Sequence, residues 1–137
     1  MSDGIREVAG RARKFFRSGA FLGLDDRRDA LAKLERVLLS RRHDLLVALA
    51  EDLGKPGMEA YLSEYYFLLQ ELRLVRKKMK KWLRRSRVGS PVYFWPCRSW
   101  IDREPFGVVL VIAPWNYPFQ LSLSPIIAAI AAGNTVV

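Results

Sequence analysis

Over roughly the first 85 residues, hydrophobic side chains recur every three or four positions, which is the spacing of one face of an α-helix. The pattern predicts three amphipathic helices, at residues 2–16, 25–53 and 58–85. Ser2 or Asp3 is predicted to cap the first helix, and glycine or proline follows each of the three. The N-terminal part of the chain is therefore predicted to be entirely helical.

The period of the pattern changes after the third helix. Two short runs rich in β-branched and aromatic residues, 92–95 and 98–102, flank Pro96 and Cys97 and predict a β-hairpin or a pair of extended strands. The following run, 107–113, is apolar without alternation, as in a strand that is buried on both faces of a parallel sheet. Extended structure is thus predicted to replace helix in this region.

A parallel strand needs a crossover connection, and the chain offers one directly. Residues 119–132 predict a helix, with Pro118 in its first turn and Gly133 at its end, and a second strand begins at Thr135. We therefore predict an α/β fold in which helices (1–88) and a hairpin (89–105) lead into the first βαβ unit (106–137). The parallel sheet is expected to be incomplete, as in the front end of a larger α/β domain.

The net charge of +9 is unevenly distributed. Nine lysines and arginines lie between Arg73 and Arg87, whereas residues 105–137 carry no charge. A basic helix with interleaved Met79 and Trp82 is one pattern of nucleic-acid or anionic-membrane binding. The alternative is that the lysines and arginines form a solvated helix face and bind no nucleic acid. The apolar stripe of the same helix favours this alternative. The uncharged stretch contains Pro114, Asn116 and Pro118 and is too short to span a membrane, which takes about 20 residues.

Few residues of the catalytic types stand out. A single cysteine, Cys97, and a single histidine, His43, exclude a disulfide framework and a thiolate metal site, so no metal is expected and a cytoplasmic location is the default. His43 is predicted to be a surface residue. The carboxylates at positions 59, 64 and 71 lie near one helical face, but one helix does not bring a catalytic pair together.

Asn116 occupies the position at which ligands usually bind in open parallel sheets, beyond the carboxyl end of a strand. Its side-chain N–H can donate a hydrogen bond to an oxygen that acquires negative charge. The alternative from position and residue type alone is a loop asparagine that bonds to its own backbone.

The segment EPFGVVLVIAPWNYPF, followed by PIIAAIAAGNTVV, resembles the aldehyde dehydrogenase superfamily, and most closely its class 3 branch. The resemblance covers essentially the whole chain, and it implies that residues 1–137 are the N-terminal portion of the cofactor-binding domain, with the catalytic domain absent. It implies an NAD(P)-dependent oxidoreductase in which a cysteine thiolate attacks an aldehyde and hydride passes to NAD or NADP. A glutamate-activated water then hydrolyses the thioester to the carboxylic acid.

The resemblance also implies roles for individual residues. Asn116 matches the oxyanion donor of the family. The cofactor would lie against the backbone of Ile112, Ala113, Pro114 and Trp115, and the substrate tunnel would be lined by Tyr117 and Leu121. The absence of a G-x-G-x-x-G loop fits the unusual, Rossmann-like cofactor site of this family.

The nucleophilic cysteine and the general-base glutamate of the family lie downstream of this motif. Cys97 precedes the motif and does not replace the nucleophile. The chain alone is therefore expected to be an inactive fragment, and the complete enzyme is expected to be a homodimer. The remaining alternatives are a non-catalytic basic module acting through Arg73–Arg87 and a natural remnant that interacts with complete subunits.

Overall fold

The computed structural model describes residues 2–137, with side chains from Gly4 onward, so the predicted caps Ser2 and Asp3 lie outside the described side chains. The helices are α1 (Ser2–Arg17), α2 (Leu24–Ser40), α3 (Arg42–Leu53), α4 (Gly57–Ala60), a π-helical segment (Tyr61–Tyr66), α5 (Phe67–Trp82) and α6 (Pro118–Ala132). The strands are β1 (Ser86–Val88), β2 (Ser99–Ile101), β3 (Val108–Val109) and β4 (Thr135–Val136). Within these residues, the strands form two separate two-stranded sheets.

The prediction of one helix over residues 25–53 is wrong, because the segment forms two helices. The break is at Arg41, whose φ of −101° and ψ of 14° lie outside the helical region. The order of apolar residues along the sequence does not reveal a helix break of one residue, because the spacing of three and four positions continues on both sides of the break. The predicted end of α3 is confirmed at Gly54, which adopts the left-handed conformation with φ of 62°. His43 is exposed, as predicted.

The core is formed where α2, α5 and α6 meet. Its buried members are Leu31, Leu38, Tyr65, Leu68, Leu69, Leu72, Val75, Met79, Ile127 and Ala131. Leu72 and Ile127 are completely buried, and full burial of such a side chain contributes about 1.5–3 kcal/mol. The predicted apolar stripe of the third helix thus packs inward. The basic residues of 73–87 are all exposed except the half-buried Arg76, which is the arrangement of a solvated helix face.

A hairpin forms, but its predicted first strand is wrong. β1 and β2 pair antiparallel, with Arg87 opposite Trp100, so the first strand begins within the segment that was predicted to be helical. The run at 92–95 lies in the connection, where Val92–Phe94 forms a 3₁₀ turn. Pro91 and Pro96 on either side of this run have no backbone N–H to donate to a ladder, so β propensity alone does not make it a strand.

The predicted βαβ unit is confirmed. β3 and β4 pair parallel, with Val108 opposite Thr135 and Val109 opposite Val136, and α6 connects them. Further ladder bonds run from Thr135 N to Gly107 O, from Val137 N to Val109 O and from Val111 N to Val137 O, each 2.9 Å long. Strand β3 itself covers Val108–Val109 of the predicted run 107–113, and the ladder bonds extend as far as Val111.

The connection between α6 and β4 is held by buried polar groups. Asn134 is 4% exposed; its Oδ1 accepts a bond of 2.9 Å from Gly107 N, and its Nδ2 donates to Ala129 O at 3.3 Å. Arg27 of α2 is buried beside it and donates to Ala131 O at the end of α6 (3.3 Å) and to Leu22 O (2.7 Å). Burial lowers the pKa of Arg27. These bonds tie the start of β3 and the end of α6 together.

An ion-pair cluster joins α2 to α5 on the surface. Glu35 accepts a hydrogen bond of 2.7 Å from Arg73 and a second bond from Arg76. The hydrogen bond from Arg73 lowers the pKa of Glu35 against an opposing effect of burial, and the charges of both arginines lower it further. The carboxylate therefore stabilises the fold when it is ionised.

The Glu35→Gln variant is expected to lose about 1 kcal/mol of unfolding free energy at neutral pH, since the arginines are partly exposed and solvent screens the pair. A folded pKa below the unfolded value means that this contribution is present above the unfolded pKa and is lost as the pH falls through the folded pKa. Urea denaturation at neutral pH and at stepwise lower pH measures the difference, which should shrink below about pH 5. A difference that is independent of pH, or equal to that of exposed Glu51→Gln, would contradict the assignment.

Candidate functional site

The segment Ile112–Tyr117 leaves the carboxyl end of β3 and leads into α6, where the sequence places the site. It has no regular secondary structure, and Trp115–Tyr117 forms a bend. Ile112 and Trp115 are each 85% exposed, and Pro114 is also exposed. Ala113, Tyr117 and Leu121 are half-buried. Three of the four predicted cofactor-binding residues are therefore exposed, and the two predicted tunnel residues are half-buried.

Asn116 is exposed at the bend, two residues before α6 begins. Among the described side chains it has no hydrogen-bond partner, so its amide is not used in the local backbone turn that the alternative interpretation required. An exposed, uncommitted N–H donor at the end of a parallel strand is suited to bind an oxygen atom of a ligand.

A buried carboxylate behind this segment was not identified as part of the site from the sequence. Glu64 of the π-helical segment is 0% exposed. Its Oε2 accepts a hydrogen bond of 2.9 Å from the backbone N–H of Phe119, and its Oε1 pairs with Lys55 Nζ. Phe119 is the second residue of α6, and a negative charge at a helix N-terminus is favourable. Glu64 thus caps α6 from another helix, since Tyr117 at the N-cap position provides no side-chain cap.

Lys55 extends the same network to the loop. The lysine side chain is 10% exposed, and its Nζ lies 3.8 Å from the centroid of the Tyr117 ring. A cation over an aromatic face is attracted by the ring quadrupole, and more strongly where water is excluded. Two residues that follow Asn116 along the chain, Tyr117 and Phe119, contact this network. Lys55, which follows α3, contacts Tyr117, and Glu64 of the π-helical segment bonds to Phe119.

Helical spacing placed Glu64 near one face with Glu59 and Glu71, but the segment that contains Glu64 is π-helical. Its hydrogen bonds follow a wider repeat than that of an α-helix, so the positions on its faces shift relative to a spacing of 3.6. The signal available in the sequence was a glutamate adjacent to the buried Tyr65 in an apolar stripe. A charged residue at such a position requires a partner, and the tertiary structure supplies two, the ammonium of Lys55 and the backbone N–H of Phe119.

A second carboxylate, Glu71 of α5, also contacts α6. Its Oε1 accepts a bond of 2.7 Å from Ser124 Oγ, and its Oε2 is buried without a partner among the described residues. Ser124 lies in the second turn of α6, away from the loop. Two of the three carboxylates noted at one helical face, Glu64 and Glu71, thus bind two different turns of the same crossover helix, whereas Glu59 is exposed.

Comparisons with known proteins agree with this architecture. Residues 2–137 match the family model described as Aldehyde dehydrogenase family. The 4,4'-diaponeurosporen-aldehyde dehydrogenase of Staphylococcus aureus is 43% identical over 130 residues, which are 90% of this chain and 28% of that protein. The dimeric NADP-preferring aldehyde dehydrogenase of Canis lupus familiaris is 39% identical over 133 residues, covering 97% of this chain and 29% of the relative.

A solved structure is also similar. The substrate-bound AldH of Staphylococcus aureus superimposes with a TM-score of 0.94 at 41% identity, over 96% of this chain and 29% of that one. The resemblance inferred from the sequence is confirmed, including its class 3 branch, since further relatives are named as family 3 members. The chain spans less than a third of the length of these relatives. No helix in the described residues is long and apolar enough to cross a membrane.

Proposed function

Because this chain belongs to the aldehyde dehydrogenase family, we propose that it acts as the N-terminal part of an enzyme that oxidises aldehydes to carboxylic acids with NAD or NADP. The observation that carries the proposal is the position of Asn116, exposed at the carboxyl end of β3 with an uncommitted amide. The aldehyde substrate and the partner subunit of the complete enzyme are part of the same proposal.

Asn116 would donate its amide N–H to the aldehyde oxygen as that oxygen becomes negative upon attack by a thiolate. A donor that is already in place stabilises this charge without reorganisation at the moment of reaction. The thiolate and the general base would come from residues downstream of this chain. The proposal assigns Cys97 no part in the reaction, since it precedes the motif and lies exposed in the hairpin connection.

The residues of the loop fit a nicotinamide cofactor. The backbone of Ile112–Trp115 is outside regular secondary structure, and the apolar side chains of Ile112 and Trp115 are exposed beside it. Such a surface suits a flat ring, with main-chain groups available for hydrogen bonds. The cofactor, when bound, would accept hydride from the substrate. The half-buried Tyr117 and Leu121 would line the path of the aldehyde.

The complete enzyme is proposed to be a homodimer in the cytoplasm. The name of the Canis lupus familiaris relative describes that protein as dimeric and NADP-preferring, which supports dimerisation and the use of NADP here. The exposed single cysteine is compatible with a reducing compartment.

The proposal is tested by assaying NAD(P)H formation from an aldehyde and either cofactor. The 137-residue chain alone is expected to form no NAD(P)H, whereas the protein extended downstream to the length of its relatives should form NAD(P)H and carboxylic acid in equal amounts. Absence of aldehyde oxidation by the extended protein would refute the proposal.

A binding assay tests the alternative of a basic module that acts through Arg73–Arg87. Binding of the chain to duplex DNA, single-stranded RNA or anionic vesicles should be weak at physiological salt. Tight binding that decreases steeply with salt would instead support the basic module.

A further inference from the structure

We propose that Glu64, together with Lys55, is a positioning residue that holds the Ile112–Tyr117 loop and thereby directs the Asn116 amide towards the reacting oxygen. This inference rests on the proposed function of Asn116. It concerns two residues that do not belong to the loop and are not expected to touch substrate.

The first argument is connectivity. The bond from Phe119 N–H to Glu64 Oε2 fixes a backbone atom three residues after Asn116, and the contact of Lys55 with the Tyr117 ring fixes the side chain directly after it. Lys55 and Glu64 bond to each other, so the two restraints act as one unit. Before Asn116, the loop is fixed by the ladder bond of Val111 to Val137. The exposed amide is thus carried on a segment that is anchored at both ends.

The second argument is burial. A fully buried carboxylate is costly unless it is paired and hydrogen-bonded, and Glu64 has both an ammonium partner and a backbone donor. Lys55 is itself nearly buried, so the pair is poorly screened by solvent. The directions of these bonds are therefore maintained, unlike those of surface ion pairs.

The third argument is the sensitivity of such a donor to its position. An oxyanion donor is effective only when it points at the place that the oxygen occupies in the transition state. A displacement of about 1 Å can cost a factor of about 10² in rate. A group that fixes the start of α6 acts directly on this geometry, because Asn116 lies only two residues before Pro118.

Glu71 provides the matched control. Its carboxylate also bonds to α6, but through Ser124 in the second turn, so it supports the packing of the helix without contacting the loop. Glu64→Gln and Glu71→Gln each replace a carboxylate that bonds to α6 with a neutral amide of the same shape. In the complete enzyme, Glu64→Gln is expected to lower kcat by a factor of about 10–100, with the aldehyde KM changed less than about threefold, whereas Glu71→Gln should change kcat by less than about threefold.

A double-mutant cycle separates positioning from general stability. If Glu64 acts through Asn116, Glu64→Gln should lower kcat much less in an Asn116→Ala background than in the unmodified enzyme. Hydrogen exchange of the peptide that covers the loop and the start of α6 should be faster in Glu64→Gln than in Glu71→Gln. Equal losses of kcat in both backgrounds, or a kcat of Glu64→Gln that matches Glu71→Gln, would overturn the proposal.

Should Glu64→Gln not fold, Lys55→Met serves as the second variant, because it retains the aliphatic stem and removes the cation over Tyr117. It is expected to lower kcat in the same direction, and an unchanged kcat would overturn the proposal. The same variants distinguish a failure of the proposed function from a failure of this inference. Full turnover of Asn116→Ala would refute the role of Asn116. An impaired Asn116→Ala together with a fully active Glu64→Gln would refute only the positioning role of Glu64.

Discussion

The Asn116→Ala variant of the complete enzyme is expected to lose a factor of about 10²–10³ in kcat, which is the typical loss when one donor of an oxyanion site is removed. The reason is that Asn116 is exposed at the end of β3 and its amide has no other partner among the described side chains. Because the interaction would be stronger in the transition state than in the ground state, kcat and kcat/KM should fall by similar factors. Steady-state NAD(P)H formation at several aldehyde concentrations measures both.

Asn116→Asp is the matched variant for this prediction. It keeps the size and shape of the side chain but replaces the N–H donor with a carboxylate oxygen that accepts only. The loss should be at least as large as in Asn116→Ala, since the negative charge repels the developing oxyanion. Unchanged turnover of Asn116→Ala, or an active Asn116→Asp, would remove the assignment of the donor.

The Gly133→Ala substitution is expected to destabilise the protein by about 2–5 kcal/mol. Gly133 has φ of 93°, a conformation that costs an alanine about 1–2 kcal/mol. A Cβ atom there would also lie 2.6 Å from the Arg27 guanidinium, and overpacking of this kind costs about 1–3 kcal/mol. The guanidinium is a flexible end in general, but here it is bonded to Phe21, Leu22 and Ala131 carbonyls and cannot move without breaking these bonds.

Gly54→Ala is the control for the cost of overpacking against Arg27. Gly54 also ends a helix with positive φ, 62°, but a Cβ atom there would meet nothing within 4 Å. Its cost should be limited to the backbone strain of about 1–2 kcal/mol. Urea denaturation of both variants gives the difference, which should be about 1–3 kcal/mol. Equal costs would mean that Arg27 yields readily and that its three bonds contribute little.

Periodicity predicted the interior face of the third helix well, but not that of the first, in which three of the periodic apolar residues are exposed. The residues of the third helix that recur along its stripe, such as Leu68, Leu72 and Met79, are buried as expected, because burial of an amphipathic face is a property of side-chain order alone. Turn chemistry predicted the ends of α3 and α6 at Gly54 and Gly133 for a similar local reason. Features that depend on nearby residues are thus readable from the sequence.

Strand pairing was predicted less well, because it depends on residues far apart in the chain. The run at 92–95 has high β propensity, yet β2 pairs with Ser86–Val88 instead. Two prolines exclude the run from the ladder, and the three residues that directly follow the predicted helix 58–85 take its place. The hydrogen bond between Asn134 and Gly107 was not predicted for the same reason, because it joins residues 27 positions apart.

The sequence by itself determined the helical N-terminal part, the βαβ unit, the family resemblance and the position of Asn116 at the end of a strand. These depend on local spacing, on turn residues and on a contiguous motif. Only the tertiary structure decided that Glu64 caps α6 and that Lys55 packs on Tyr117, since these contacts join residues 55 and 62 positions apart. A hydrophobic pattern encodes which side of a helix is buried, but the partner of a buried charge is set by the packing of distant elements.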